Sequence, residues 1–239
     1  MNANGVEKAT LVQVRGQFDN RYAIECVRRF PTRFCALVGV DTDRRDAPER
    51  LARWVGEGAV GVRLGPTVRS PGSDPLAIWR TAADLGIPVS AFGTPDEFTS
   101  RWFGQVLSEL PSLRVIIEHL GRIGRDEAPP YSRFREILRL ARYPNAYIKV
   151  HGLGEICPRP MPFPQPMRFP TIPPFMKMAC EAFGASRMMW GSDFPPVAGR
   201  EGYRNALQWT MDHIRDRSDA DKEWIFGKTA LSVFKFAED

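Results

Sequence analysis

Arg187-Met188-Met189-Trp190-Gly191-Ser192-Asp193-Phe194-Pro195-Pro196 is the stretch whose reading decides the fold. Arg187 to Trp190 is a short apolar run without polar alternation, as in a strand buried on both faces. Gly-Ser-Asp follows, and two prolines then stop both strand and helix. A carboxylate at the C-terminal tip of a buried parallel strand is where α/β barrels keep their chemistry. Asp193 could equally cap the turn into the next helix, so the stretch has to be weighed with the rest of the chain.

Six further apolar runs precede it: Ala9–Val14, Phe34–Val40, Val60–Leu64, Ile87–Phe92, Arg114–Glu118 and Ala146–Val150. The seven begin at positions 9, 34, 60, 87, 114, 146 and 187, at intervals of 25, 26, 27, 27, 32 and 41 residues. One strand, one helix and two short loops need about that length. Strict alternation implies an all-parallel sheet, either doubly wound or closed as a barrel.

The helices between are legible. Asp19–Phe30 places Tyr22, Ala23, Cys26, Val27 and Phe30 on one face, with Asp19 or Asn20 as cap. Ala47–Gly56 carries Leu51, Trp54 and Val55, and Pro75–Leu85 starts from Ser73/Asp74 and ends at Gly86. Asp96–Leu110, Tyr131–Arg142, Pro174–Phe183, Glu201–Arg215 and Asp219–Phe236 complete the set. Asn4-Gly5 before Val6 is a helix-ending signal with almost no helix before it, so the series reads as a barrel lacking its first strand and most of its first helix. One domain over 1–239 is expected, interrupted by a proline-rich loop at 157–174 with prolines at 158, 160, 162, 164, 166, 170, 173 and 174. Such a segment cannot be helix or central strand. It is either a lid over a pocket, an insertion packed on the rim, or a contact with a neighbouring subunit.

Composition bounds the function. Hydrophobic residues make up 43% and charged residues 26% of the 239, as in ordinary soluble domains. No apolar run approaches the roughly 20 residues that span a bilayer, and Met1–Gly5 lacks the features of a secretory signal, so a cytoplasmic protein is expected. Cys26, Cys35, Cys157 and Cys180 are scattered without a C-x-x-C pair, the spacing of reduced thiols. The net charge of +5 comes from arginines spread along the chain rather than clustered. That argues against a nucleic-acid partner and for a solvated basic surface, whose field would still favour an anionic substrate.

The polar residues that end the runs are Asp41, Arg63, Thr94, Glu118-His119, His151 and Asp193. Two of the three histidines fall there, whereas His213 lies in a polar helix and is assigned nothing. His119 and Asp193 are both ligand types for a zinc-like ion, and without metal a carboxylate beside an imidazole can take a proton from attacking water. Arg63 offers a fork for a substrate carboxylate, or a salt bridge at the barrel top. Arg122 offers the same fork, and Lys149 is either a charge partner in the barrel mouth or a second anion contact.

Gly61-Val62-Arg63-Leu64, Val115 through Arg122, Asn145 through Leu153 and Met189 through Pro195 together resemble the recurring motifs of amidohydrolase family 2, over nearly the whole chain. The nearest branch contains 2-pyrone-4,6-dicarboxylate lactonase and related metal-dependent hydrolases. The resemblance implies a (β/α)₈ TIM barrel hydrolysing at its C-terminal face, with Asp193 as metal ligand and general base and His119 binding metal or substrate. It implies Arg63 beside the substrate's anionic group, and His151 stands where many relatives carry serine.

One departure weighs against a metal: the family's first-strand His-x-His pair has no counterpart, leaving His119 and Asp193, with His151 as the remaining imidazole. The cofactor is then either one divalent zinc-like ion or none. The missing strand would leave two unpaired edges, to be met by sequence upstream of Met1, by another chain as in a homo-oligomer, or by nothing in a decayed relative. The expected function is hydrolysis of a lactone or amide-like bond in a small carboxylated substrate. The alternatives are decarboxylation of an aromatic or muconate-like acid, and an inactive barrel with a binding role.

Overall fold

The computed structural model describes residues 1–157, 169 and 171–238; the expectation of a lid falls on 158–168 and 170, outside the described residues. Seven parallel strands form one sheet in chain order: β1 Ala9–Val12, β2 Phe34–Val38, β3 Gly61–Leu64, β4 Val89–Ala91, β5 Val115–Ile117, β6 Ala146–Val150 and β7 Met188–Trp190. Each expected run holds one of them. Each strand pairs only with its sequence neighbours, so among the described residues β1 and β7 are edges of an open TIM-barrel wall.

Side chains alternate across this wall because the strand period is two. One set faces the surrounding helices: Val38, Val62, Val89, Ala91, Val115, Ile117, Ile148 and Val150 are all buried there with Trp79, Phe98, Phe103, Phe134 and Phe175. Burying each of these aromatics is worth about 2–3 kcal/mol. The other set faces inward. Cys35, Leu37, Ile116 and Met189 make an apolar lower tier, sealed by Val233 and Phe234 of the C-terminal segment. Above it, at the C-terminal ends of the same strands, the inward positions turn polar: Arg63, Ser90, Glu118 and Lys149. The wall therefore carries a greasy floor and a charged ceiling.

The helices depart from expectation in detail. Arg21–Arg29 buries Ile24 with Ala23 and Val27, while Tyr22 and Phe30 face solvent. Tyr22 lies two residues from Ile24, roughly 200° round the helix, so the expected face was rotated. Asn20 is the N-cap residue without a capping bond; its amide instead binds both Gly39 N (3.0 Å) and Gly39 O (2.9 Å), tying this helix to the end of β2. The expected helix Asp96–Leu110 is two, Pro95–Phe98 and Arg101–Glu109, because Ser100 Oγ accepts from Phe103 N and restarts the chain. Tyr131–Arg142 resolves into Ser132–Leu138 and a 3-10 turn. Glu201–Arg215 becomes Tyr203–His213, since Gly202 is left-handed and Glu201 turns inward. The last helix is interrupted by a π turn at Trp224–Lys228 and ends at Val233. Arg187 precedes β7 in a short 3-10 turn and donates to the carbonyls of Ala141 and Tyr143. At the N-terminus a 3-10 turn, Asn2–Asn4, ends on left-handed Gly5 as the local sequence signals. No helix among the described residues is long and apolar enough to cross a membrane. The four cysteines are free, and burial pushes the Cys35 thiol up to about 11.

Candidate functional site

The charged ceiling centres on Glu118, the residue that follows β5. Its carboxylate is fully buried. Arg63 Nε and Nη2 donate to its two oxygens at 3.1 and 2.7 Å, Ser90 Oγ donates at 2.6 Å, and Lys149 Nζ lies 3.1 Å away. Burial pushes this carboxyl up, but Lys149, the bond with His119 and Arg63 outweigh it and hold it well below the usual carboxylate range. Arg63 also donates Nη1 to Gln13 O. Its fork, read as serving either a substrate carboxylate or a salt bridge at the barrel top, faces Glu118, and the Lys149 ammonium meets the same carboxylate.

His119 comes next, and the chain turns sharply to present it. His119, Leu120, Gly121 and Arg122 all have positive φ, between 52° and 70°. Side chains are strained there by about 1 kcal/mol or more each, and such strain clusters at functional sites. Gly121 is required twice over, since a Cβ would lie 2.6 Å from Ile137 Cδ1. The turn sets His119 Nδ1 3.1 Å from Glu155 Oε2 and Nε2 3.4 Å from Glu118 Oε2. Burial alone would lower its pKa, but these two carboxylates win and raise it.

Asp193 follows β7 after Gly191 and Ser192, also at positive φ (53°). Its Oδ1 lies 3.8 Å from His119 Nε2, and its Oδ2 lies 3.0 Å from Arg200 Nη2. His151, after β6, is buried with its ring 5.4 Å from that of His119. Burial lowers its pKa. His151 Nδ1 lies 2.9 Å from Gly152 O and 3.5 Å from Glu155 Oε2. Arg122 is exposed and stacks 4.9 Å from the Phe92 ring, against which Arg63 also stacks at 4.3 Å. Phe92 in turn meets His119 edge-on. Beside Phe92 and Arg63 opens a cavity of about 340 Å³ with Arg15, Asp41 and Arg69 on its walls. His119, Asp193, His151, Arg63 and Lys149 therefore gather on one rim, with Arg122 at its edge; His213 stands apart, half-buried at the end of its helix.

Reading the residues missed Glu155, Arg200 and Glu201 and passed over Glu118. Glu118 was visible as the charge ending an apolar run. Glu155 stands four residues after His151 in a Gly-Leu-Gly turn, and the glycines are the signal. A Cβ on Gly152 or Gly154 would collide with the Glu201 carboxylate, and Gly154 N donates to Glu201 Oε1 at 3.2 Å. The two glycines form a cradle that fixes the turn bearing Glu155.

The expected ligand pair was His119 and Asp193; the tighter group is His119, His151 and Glu155, whose ligand atoms lie within 4.8 Å of one another. Two imidazoles and a carboxylate suit a zinc-like ion, and His151 Nε2 is a buried nitrogen without a partner among the described residues. The donor set fits a metal.

The sequence profile of the Amidohydrolase family matches residues 1–236. An L-fucono-1,5-lactonase from Burkholderia ambifaria is 29% identical over 257 residues, covering 97% of this chain and 81% of its own. Among solved structures, a probable 2-pyrone-4,6-dicarboxylic acid hydrolase from Acinetobacter baumannii with citric acid bound gives a TM-score of 0.74 at 19% identity, over 98% of this chain and 86% of that one. An amidohydrolase from Burkholderia multivorans with bound zinc gives 0.78 at 18% identity, over 99% and 86%.

Proposed function

The chain belongs to the amidohydrolase family and is a hydrolase of that superfamily, and from that premise we propose that it opens small lactones, preferring those that carry a carboxylate. The observation that carries this reading is the Asp193–His119 pair: a carboxylate oxygen 3.8 Å from an imidazole nitrogen, too far for a direct hydrogen bond, so that a water or carbonyl oxygen lying beside the line between them can reach both. Arg200 Nη2 lies 3.0 Å from the other oxygen as a charge contact without a hydrogen bond, and Oδ1 is the oxygen that faces the imidazole. In the proposed reaction Asp193 Oδ1 takes a proton from water as the water oxygen bonds to the lactone carbonyl carbon. His119 Nε2–H donates to the carbonyl oxygen as negative charge develops there, and the Glu118 and Glu155 carboxylates beside the ring favour its protonated form. The ring C–O bond then breaks, the leaving oxygen takes the proton from Asp193, and a hydroxy acid departs. Arg122, exposed against Phe92 at the edge of the rim, offers a guanidinium to a substrate carboxylate. A metal held by His119, His151 and Glu155 would supply Lewis-acid polarisation of that same carbonyl.

The supporting relatives include a protein named as a sugar lactonase and one described as a probable pyrone dicarboxylate hydrolase, so both lactone types belong in the test. Acid release from L-fucono-1,5-lactone and from 2-pyrone-4,6-dicarboxylate is to be followed by a pH indicator. Turnover that disappears in Asp193→Asn is the expected result. Carbon dioxide release from aromatic or muconate-type acids, with no lactone opening, would replace this reading with decarboxylation. Slow opening that Asp193→Asn leaves unchanged would point to a binding role instead.

A further inference from the structure

Arg200 lies among the carboxylates rather than at their edge. Its Nη1 is 3.0 Å from Glu155 Oε2, its Nη2 3.0 Å from Asp193 Oδ2 and its Nε 3.6 Å from Glu201 Oε2, with only 10% of the side chain exposed. One guanidinium thus joins three acids from three segments: the turn after β6, the tip of β7, and the approach to helix Tyr203–His213. The oxygen it holds on Glu155 is the one that faces His119 Nδ1 at 3.1 Å and His151 Nδ1 at 3.5 Å. A metal bound between those imidazoles would need that oxygen at about 2.0–2.2 Å, where it would face the guanidinium. Two cations sharing one partly buried carboxylate oxygen repel.

The permanent charges agree. Glu118, Glu155, Asp193 and Glu201 face Arg63, Lys149 and Arg200. Arg63 and Lys149 are spent on Glu118, so Arg200 is the one permanent cation that the other three acids contact among the described residues.

We propose that Arg200 is the resident cation of this cluster: it stands in the electrostatic place of a divalent metal, and its presence sets how tightly the His119–His151–Glu155 triad can take one. The proposal goes beyond lactone hydrolysis and does not depend on it. Its consequence is that neutralising Arg200 uncovers a zinc site. Zn²⁺ is titrated into the full chain and into Arg200→Met against a chromophoric chelator, with zinc content measured after dialysis. Arg200→Met should bind one zinc per chain at least about tenfold more tightly than the parent, as removal of a contacting positive charge requires. The double variant Arg200→Met/His151→Ala should lose that gain, which locates the ion. Arg200→Gln, close in shape and still a donor, serves if Arg200→Met melts early. A parent protein that binds one zinc per chain as tightly as the variant overturns the proposal. So does a folded Arg200→Met or Arg200→Gln that binds zinc no better than the parent.

Discussion

Glu118 and His119 are consecutive in the chain, yet their side chains meet, with His119 Nε2 3.4 Å from Glu118 Oε2. Neighbours in a strand point to opposite faces. They converge because Glu118 is still extended (φ −72°, ψ 148°) while His119 has turned left-handed (φ 54°). The strained turn thereby couples the buried hub of the barrel to the imidazole at its mouth.

The hub should matter to folding as much as to turnover. Glu118→Gln leaves Arg63 and Lys149 facing a neutral group, and breaking a buried pair costs about 3–5 kcal/mol. Urea denaturation should report a loss of that order. The sign of the pH dependence follows from the depressed Glu118 carboxyl. Its stabilisation is complete above the ordinary value of 4.5 and is lost as pH falls below it toward the folded-state value. The Glu118→Gln variant should show a flatter acid limb than the parent.

Asp193→Asn keeps the shape and removes the base. A drop in kcat of about 10²- to 10⁴-fold is expected for lost general-base catalysis, with little change in melting temperature. An equal loss of stability would mean that Asp193 serves mainly to hold Arg200.

The two active-rim histidines should titrate on opposite sides of the ordinary value of 6.5, His119 above it and His151 below. His119, raised on folding, contributes stability in full below 6.5 and loses it as pH rises through its own higher value. Histidine ring signals followed by NMR against pH should separate the two. If His119 acts as donor to the carbonyl, kcat/KM should fall at high pH along the same curve.

The glycine cradle gives a fourth test. Gly154→Ala puts a methyl group into the Glu201 carboxylate, and overpacking of this sort costs about 1–3 kcal/mol. Glu201→Ala in the same chain should return part of that loss, a non-additivity readable in a double-mutant cycle. Activity should fall in Gly154→Ala beyond what stability explains, since Glu155 moves with the turn.

How much of this was legible depended on regularity. The strands announced themselves because both faces are apolar at positions such as Val115 to Ile117, and His119 and Asp193 stood out as polar residues ending such runs. Thr99 and Ser100 gave little warning of a helix break, because serine and threonine also occur within helices and only the bond to Phe103 N decides. Glu155 and Arg200 lie in irregular segments, where no periodicity marks which side chain turns inward. Arg63 was legible as a charge but not as Glu118's partner, because 55 residues separate them.

The alternation of tiers along the inner wall makes strand pairing self-checking. A one-residue slip of β5 or β6 would turn Ile117 or Ile148 toward the mouth and drive Glu118 or Lys149 into the apolar layer beneath the helices. A misregistered chain would then bury an unmatched charge at a cost comparable with the whole stability of a domain. The acid–base constellation at the mouth therefore acts as a proofreader of assembly, and charge-neutral versions of it should fold with more errors even when their final structures agree.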